Sequence, residues 1–374
     1  MIRLFTVLLL CFLSATVAQA GSPWLIASAT GPAWPTSCPV SLAVAIERGV
    51  DTVGFAVSMS SDGTVVVTPD PILSGVSAAD LLFAERLGDD DTLVVTDLSR
   101  AELRQLMVEH PGGASTDGLS GCRIASLAET LDLISLLETE QQRSITIVVE
   151  LRKLWLHRKA GLDPGGAVVD LLTAKRPDRS DSTPRTYIAA HDPDELRRLH
   201  EQRLIHNVPH IGIMQLIDNN DGEQAKRLEQ GAWLPYNYDW LFTNSGLRSI
   251  SDHVDVIGLS PTLVADADQS KLLDFIGDAH LLGIPLIISP LGPLLDPGQS
   301  SPEEIRTTLN QLLADDMFDG LVTENYDGVA RLLDLEPPRH DRQEQPESAV
   351  EQIIENLERN KSEAARSAEP LLLH

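Results

Sequence analysis

The side chains best placed to do chemistry are a carboxylate and a guanidinium two residues apart, Glu150 and Arg152, at the end of the apolar run 145–150. Alternate residues of a strand face the same way, so the two would project together from the strand's end. A carboxylate there can ligate a hard divalent cation, and a guanidinium can pair with it or hold an anion. Three histidines also lie near strand ends: His157 after this same run, His191 after the next, and His210 at the start of the one beyond. In Ala190-His191-Asp192-Pro193 the imidazole can reach the same region, while Asp192 can cap the next helix. None shows ligand spacing such as H-x-x-x-H, so surface or helix-end roles are the stronger expectation for all three. Ser28, Ser37 and Ser289 also sit at strand ends, but no histidine partner marks a nucleophilic triad. No histidine occurs before His110.

The elements that must hold these groups alternate regularly. Short apolar, β-branched runs at 24–28, 52–58, 145–150, 186–190, 210–214, 254–258, 285–289 and 320–323 predict eight strands. Amphipathic stretches at 40–48, 127–137, 167–175, 193–201, 270–282 and 302–313 predict helices between them. That alternation argues for an α/β fold with a parallel sheet, and eight strands in one domain suggest a closed (β/α)8 TIM barrel. An open doubly wound sheet is the alternative, weakened because no Gly-rich nucleotide loop follows any strand. Two insertions fall after strands, on the functional side of such a barrel. The first, 69–121, is expected to carry a strand pair (64–68 with 92–95), a short helix near 100–108 and a Gly-rich turn. The second, 219–245, holds Trp233, Tyr236, Tyr238 and Trp240. These aromatics either wall a glycerol-like or sugar-like ligand or pack the loop onto the barrel rim.

The chain's ends have a different character. Residues 1–20 read as a secretory signal peptide: Arg3, an apolar run from Leu4 to Leu13, then Ala18-Gln19-Ala20. The apolar run is too short to span a bilayer, and no later stretch reaches the ~18 apolar residues a membrane helix needs. The expectation is therefore a periplasmic or secreted protein with no integral membrane segment once processed. Residues 21–335 form the barrel, 336–348 a proline-rich charged linker, and 349–374 an amphipathic helix striped by Val350, Ile353, Ile354 and Leu357. That helix either docks on the barrel or binds a protein partner. The formal net charge of −26 repels nucleic acid and anionic lipid, which excludes the first as a partner.

Several stretches in the right order resemble the periplasmic glycerophosphodiester phosphodiesterases. The segment Gly49-Val50-Asp51-Thr52-Val53-Gly54-Phe55-Ala56-Val57 is similar to a G-A-D-x-x-E-x-D-x strand, and Ser61-Asp62-Gly63-Thr64-Val65-Val66-Val67 to a K-D-G-x-x-V-V hairpin. Ile147-Val148-Val149-Glu150-Leu151-Arg152 resembles I-Y-P-E-I-K, continued by Trp155-Leu156-His157. Asp194-Glu195-Leu196-Arg197-Arg198, the run Tyr236-Asn237-Tyr238-Asp239-Trp240 and the last strand Gly320-Leu321-Val322-Thr323 extend the likeness over roughly residues 23–335.

The resemblance implies a TIM barrel and a definite chemistry. A divalent cation on three carboxylates polarises the phosphoryl group. Two histidines handle protons or attack, and an arginine neutralises phosphate. In this sequence the histidine and arginine positions after the first strand hold Ser28 and Ala29, and the second histidine position holds Pro69. Two metal positions hold Gly54 and Ala56, which leaves Glu150 as a remnant ligand, with Arg152 replacing a lysine. Losing all these groups should cost at least roughly 10⁴-fold in rate. The expectation is accordingly a catalytically inactive, ligand- or partner-binding barrel with no catalytic residue and no cofactor. Its candidate substrate-binding residues are Arg152, Trp233, Tyr236, Tyr238 and Trp240, for a small glycerol- or phosphate-containing ligand. The alternative is a weakly active diester hydrolase around Glu150, using Ca2+ or Mg2+. A scaffold acting through the C-terminal helix is a third class.

Cys38 and Cys122 both fall in loops at the expected mouth. In an oxidising compartment they either form a disulfide over the site or remain two buried thiols. A thiol titration of the unreduced, denatured, processed chain separates the two: no thiols for the bridge, two without it.

Overall fold

The computed structural model describes residues 23–28, 39–73, 76–77, 83–86, 92–108, 122–176, 185–290, 302–313 and 317–335. The expected signal peptide, Ala29, Ser37, the Cys38–Cys122 pairing, and the expected linker and C-terminal helix lie outside the described residues. Eight parallel strands close into a barrel: β1 (Trp24–Ser28), β2 (Thr52–Met59), β3 (Thr146–Leu151), β4 (Thr186–Ala190), β5 (Ile211–Ile217), β6 (Val256–Leu259), β7 (Leu286–Ile288) and β8 (Gly320–Thr323). Each pairs with the next, and β1 pairs with both β8 and β2, which completes the ring. The TIM barrel of the sequence analysis is the observed fold.

The helices form where local signals start them. α1 (Pro39–Glu47) follows β1, and α2 (Leu127–Gln141) opens on a reciprocal capping box between Ser126 and Glu129. α3 (Pro164–Lys175) and α4 (Pro193–Ile205) each begin with an aspartate cap and a proline in the first turn, Asp163-Pro164 and Asp192-Pro193. α5 (Asn244–Ile250), α6 (Gln269–Leu281), α7 (Pro302–Leu313) and α8 (Tyr326–Leu332) complete the outer ring. Their apolar sides and the outward strand residues make the main core. Inward residues such as Ile26, Val148, Tyr187, Met214 and Ile287 fill the barrel itself. Gly212 makes room for the largest of them: a Cβ there would lie 2.5 Å from the Tyr187 ring.

The first insertion differs from its expected form. Val65–Val67 pairs antiparallel with β2 rather than with residues 92–95. Val94 makes a single bridge to Ile72, and the chain then turns through a 3-10 segment, Val95–Asp97. The strand-like composition of that run serves a satellite core, where Leu93 and Val95 are buried with Leu98 and Leu103. The second insertion contains an unforeseen hairpin, Lys226–Glu229 with Ala232–Pro235. Among the described residues no helix is long and apolar enough to cross a membrane.

His157 links the short helix Leu154–Lys159 to β2, and it is fully buried rather than on the surface. Its Nε2 accepts the Met59 amide at 3.0 Å, so the proton belongs on Nδ1 and the ring is neutral. Burial pushes its pKa down from 6.5 to about 4. The unfolded chain therefore binds the proton first as pH falls, and stability is full above about pH 6.5 and declines towards pH 4. The loss expected across that window is roughly 3 kcal/mol. Denaturant unfolding at pH 7 and pH 4.5 should show this decline in the parent chain, and a slope flatter by a similar amount in His157→Gln.

Candidate functional site

β3 sets the centre of the barrel mouth. Val148 and Glu150 alternate inward along it, and Arg152 lies one step past its end. Glu150 is flanked by Ala56 on β2 and Ala189 on β4. Methyl groups on both sides leave the carboxylate room to turn towards Arg152. The guanidinium donates from Nε to Glu150 Oε1 at 2.8 Å and from Nη2 to Oε2 at 2.9 Å. This fork-on-fork geometry is the strongest that the two groups can adopt. Nη1 donates to the Pro69 carbonyl at 2.8 Å. The next residue, Lys153, is left-handed at φ 45° and reaches Asp70 at 2.7 Å. Consecutive cations thus clamp the consecutive residues Pro69 and Asp70.

Burial works to raise the Glu150 pKa, but the Arg152 charge and its hydrogen bonds outweigh it and hold the carboxyl below its ordinary value. Burial likewise opposes the charge on Arg152, and Glu150, with Asp70 and Glu324 beyond it, keeps that group firmly protonated. His191 follows β4 and is brought to the same place, its Nε2 3.9 Å from Glu150 Oε1 and its side chain 12% exposed. His191 thus stands at a helix end, directly before the Asp192 cap of α4, but it is turned into the mouth rather than lying on the surface. Burial holds the imidazole below its ordinary pKa against the pull of Glu150 and Asp218, so it is neutral at pH 7. Tyr187, Ala189 and His191 share one parity, and that alternation is the sequence signal that could have found it. Asp192 caps α4 as expected, accepting from the amides of Asp194 and Glu195. His210 is tied by its Nε2 to the Arg176 carbonyl at 3.0 Å, away from these groups.

Below the pair lies a small recess of about 30 Å³. Ile26, Val148, Met214 and Leu216 wall it, and Ser28, Gly54, Ala56 and Ser289 line the rest of the mouth side. The aromatic run does not form this wall. Tyr236 and Tyr238 are each 3% exposed, their rings 4.9 Å apart, and Tyr238 donates to the His191 carbonyl at 2.9 Å. Trp240 donates to Tyr236 Oη, and Trp233 lies 6.0 Å from Trp155. Their alternation fits packing of the loop, the second of the two roles open to them, and burial leaves Tyr236 and Tyr238 little surface for a ligand.

Residues 40–275 match the model of the glycerophosphoryl diester phosphodiesterase family. The chain belongs to this family. It is 24% identical over 274 residues to a glycerophosphodiester phosphodiesterase of Treponema pallidum (strain Nichols), covering 69% of this chain and 76% of that one. It is also 24% identical over 246 residues to one of Haemophilus influenzae, covering 62% and 66%. Among solved structures, a glycerophosphoryl diester phosphodiesterase from Parabacteroides distasonis ATCC 8503 superposes with a TM-score of 0.54 at 14% identity, over 86% of this chain and 89% of that one. An Oleispira antarctica phosphodiesterase in complex with the product sn-glycerol-3-phosphate superposes at 0.52 with 14% identity, over 83% and 97%.

A divalent cation of the kind the family resemblance implies does not fit the residues at this mouth. Both Glu150 oxygens are committed to Arg152, and positions 54 and 56 carry no ligand atom in their side chains. Among the described residues, no group of three or more His, Cys, Asp or Glu is arranged to hold a metal. Packing does not force the glycine: a Cβ at Gly54 would meet its nearest neighbour, Ile26 Cγ2, at an ordinary 3.4 Å.

Because the pair is mostly buried, breaking it on one side should cost more than removing it whole. Arg152→Met strands the carboxylate and should destabilise the barrel by about 3 kcal/mol at pH 7. With Arg152 gone, burial dominates and raises the Glu150 pKa above 4.5, so the penalty should shrink as pH falls towards 4.5 and be relieved below it. Adding Glu150→Gln should restore most of the loss. Urea unfolding of the single and double variants checks the order.

Proposed function

We propose that this chain is a non-catalytic member of the glycerophosphoryl diester phosphodiesterase family, a barrel of the cell envelope that binds a ligand at its mouth. The observation that carries the reading is the Glu150–Arg152 fork, which uses the carboxylate as a counter-ion. The sequence around it agrees: Ser28, Gly54, Ala56 and Pro69 offer no imidazole, no guanidinium and no carboxylate where the family resemblance calls for them. Transition-state stabilisation of phosphoryl transfer rests on positioned charge, and the pair at this mouth is neutralised internally. The envelope location rests on the signal-peptide pattern of residues 1–20.

One observation favours a second reading, a weak diester hydrolase. The neutral, buried His191 lies 3.9 Å from Glu150, close enough for the two to exchange a proton through a small rearrangement. The purified chain should show no turnover of glycerophosphocholine with Ca2+ or Mg2+ above a Glu150→Ala control. Turnover that exceeds this control and disappears in His191→Ala would establish the second reading instead.

A further inference from the structure

We infer that the C-terminal segment of this chain folds back on the barrel's outer wall, the apolar stripe of residues 350–357 lying along α6. This takes the first of the two roles open to that segment and names its surface, and it stands apart from whatever the mouth binds. α6 shows solvent an apolar ridge: Leu273 is 52% exposed and Leu281 86%. The barrel core does not use these two, because Leu272, Phe275, Ile276 and Ala279 already supply the buried side of the helix. Gly277 lies midway between them, and a Cβ there would meet nothing within 4 Å. Residues four apart share a helix face, so Leu273, Gly277 and Leu281 form one row with a dip at its centre. Side chains lean towards the start of a helix, which tilts Leu281 over that dip. Such a row is what the ridge of a second helix packs into, and the glycine lets its backbone come close.

Reach decides the occupant. Leu335, the last described residue, closes α8, its amide bonded to the Ala330 carbonyl at 2.9 Å. There α8 lies against α7, with Arg306 paired to Asp334 at 3.8 Å, and α6 is the next helix round the ring. Two helix spacings amount to roughly 20 Å. The 13 residues 336–348 extend to at most about 43 Å, and a flexible chain of that length has an end-to-end distance of about 20 Å. The tether therefore holds the stripe near α6 at high local concentration. The lengths also agree, since Val350 to Leu357 rises about 10 Å along a helix and Leu273 to Leu281 about 12 Å. Among the described residues α1, α7 and α8 carry no exposed large apolar side chain, so α6 is the nearest helix that offers one. Leu204 and Ile205, exposed at the end of α4, lie four helices from α8 and, as sequence neighbours, form no ridge.

Hydrogen exchange of the full processed chain, read by mass spectrometry, tests this placement. A helix as short as 349–361 is marginal alone, so protection of its amides reports docking. Amides 351–358 should exchange at least about tenfold more slowly than in a free peptide of the same sequence. Leu273→Glu combined with Leu281→Glu should return them to the free-peptide rate while the barrel strands keep their protection. Gly277→Gln fills the dip without adding charge and should do the same; it also maintains the test if the charged pair does not fold. Free-peptide exchange in the parent chain overturns the inference, as does protection that survives either variant. Protection that rises with protein concentration, with a dimer in sedimentation that Leu281→Glu abolishes, would give α6 to a second copy and overturn it too.

Discussion

The Glu150–Arg152 fork, together with the Lys153–Asp70 pair beside it, fixes how the top of this barrel is built. Three pieces of chain meet there: the end of β3, the segment leaving the Val65–Val67 hairpin, and the start of the short helix Leu154–Lys159. Arg152 holds the first two through Glu150 and the Pro69 carbonyl. The left-handed backbone at Lys153 then turns the chain so that the next cation finds Asp70. An exposed ion pair would contribute little. A mostly buried bidentate one whose third nitrogen also reaches a carbonyl is different, because neither partner can be left alone without a large penalty. The segment carrying Pro69 is therefore held where a side chain facing the recess would have to act.

Much of this was legible in the sequence because it depends on local alternation. The strand order and the inward parity of Glu150 and Arg152 follow from a period of two, and the Asp-Pro starts of α3 and α4 follow from capping. Failures came where partners decide. Residues 92–95 have strand composition, but among the described residues their ladder contact is the single bridge from Val94 to Ile72, and the chain then turns through Val95–Asp97. For His191 the sequence favours a surface or helix-end role because no ligand spacing such as H-x-x-x-H accompanies it. The strand parity through Tyr187 and Ala189 carries it inward all the same.

The aromatic loop shows how one pattern can serve two readings that only burial separates. Alternating Tyr236 and Tyr238 would suit a ligand wall if their ring faces were open. Both are instead within the core, and the Tyr238 hydroxyl is used on the backbone of His191. Buried hydroxyls need such a partner, and once it is supplied by the barrel they are no longer offered to a ligand. The loop thus positions the neutral histidine from behind, while the recess itself is bounded by aliphatic side chains.

Charge balance explains why this mouth can be stable as it stands. Several carboxylates gathered on neighbouring strands repel one another and depend on a bound cation for compensation. One carboxylate needs only one cation, and Arg152 supplies it from two residues further along the chain, just past the end of β3. Tethering removes the translational cost of recruiting an ion, and the planar fork satisfies both oxygens at once. Gly54 and Ala56 complete that arrangement by adding no charge to be compensated. The result is a mouth whose central pair is neutral.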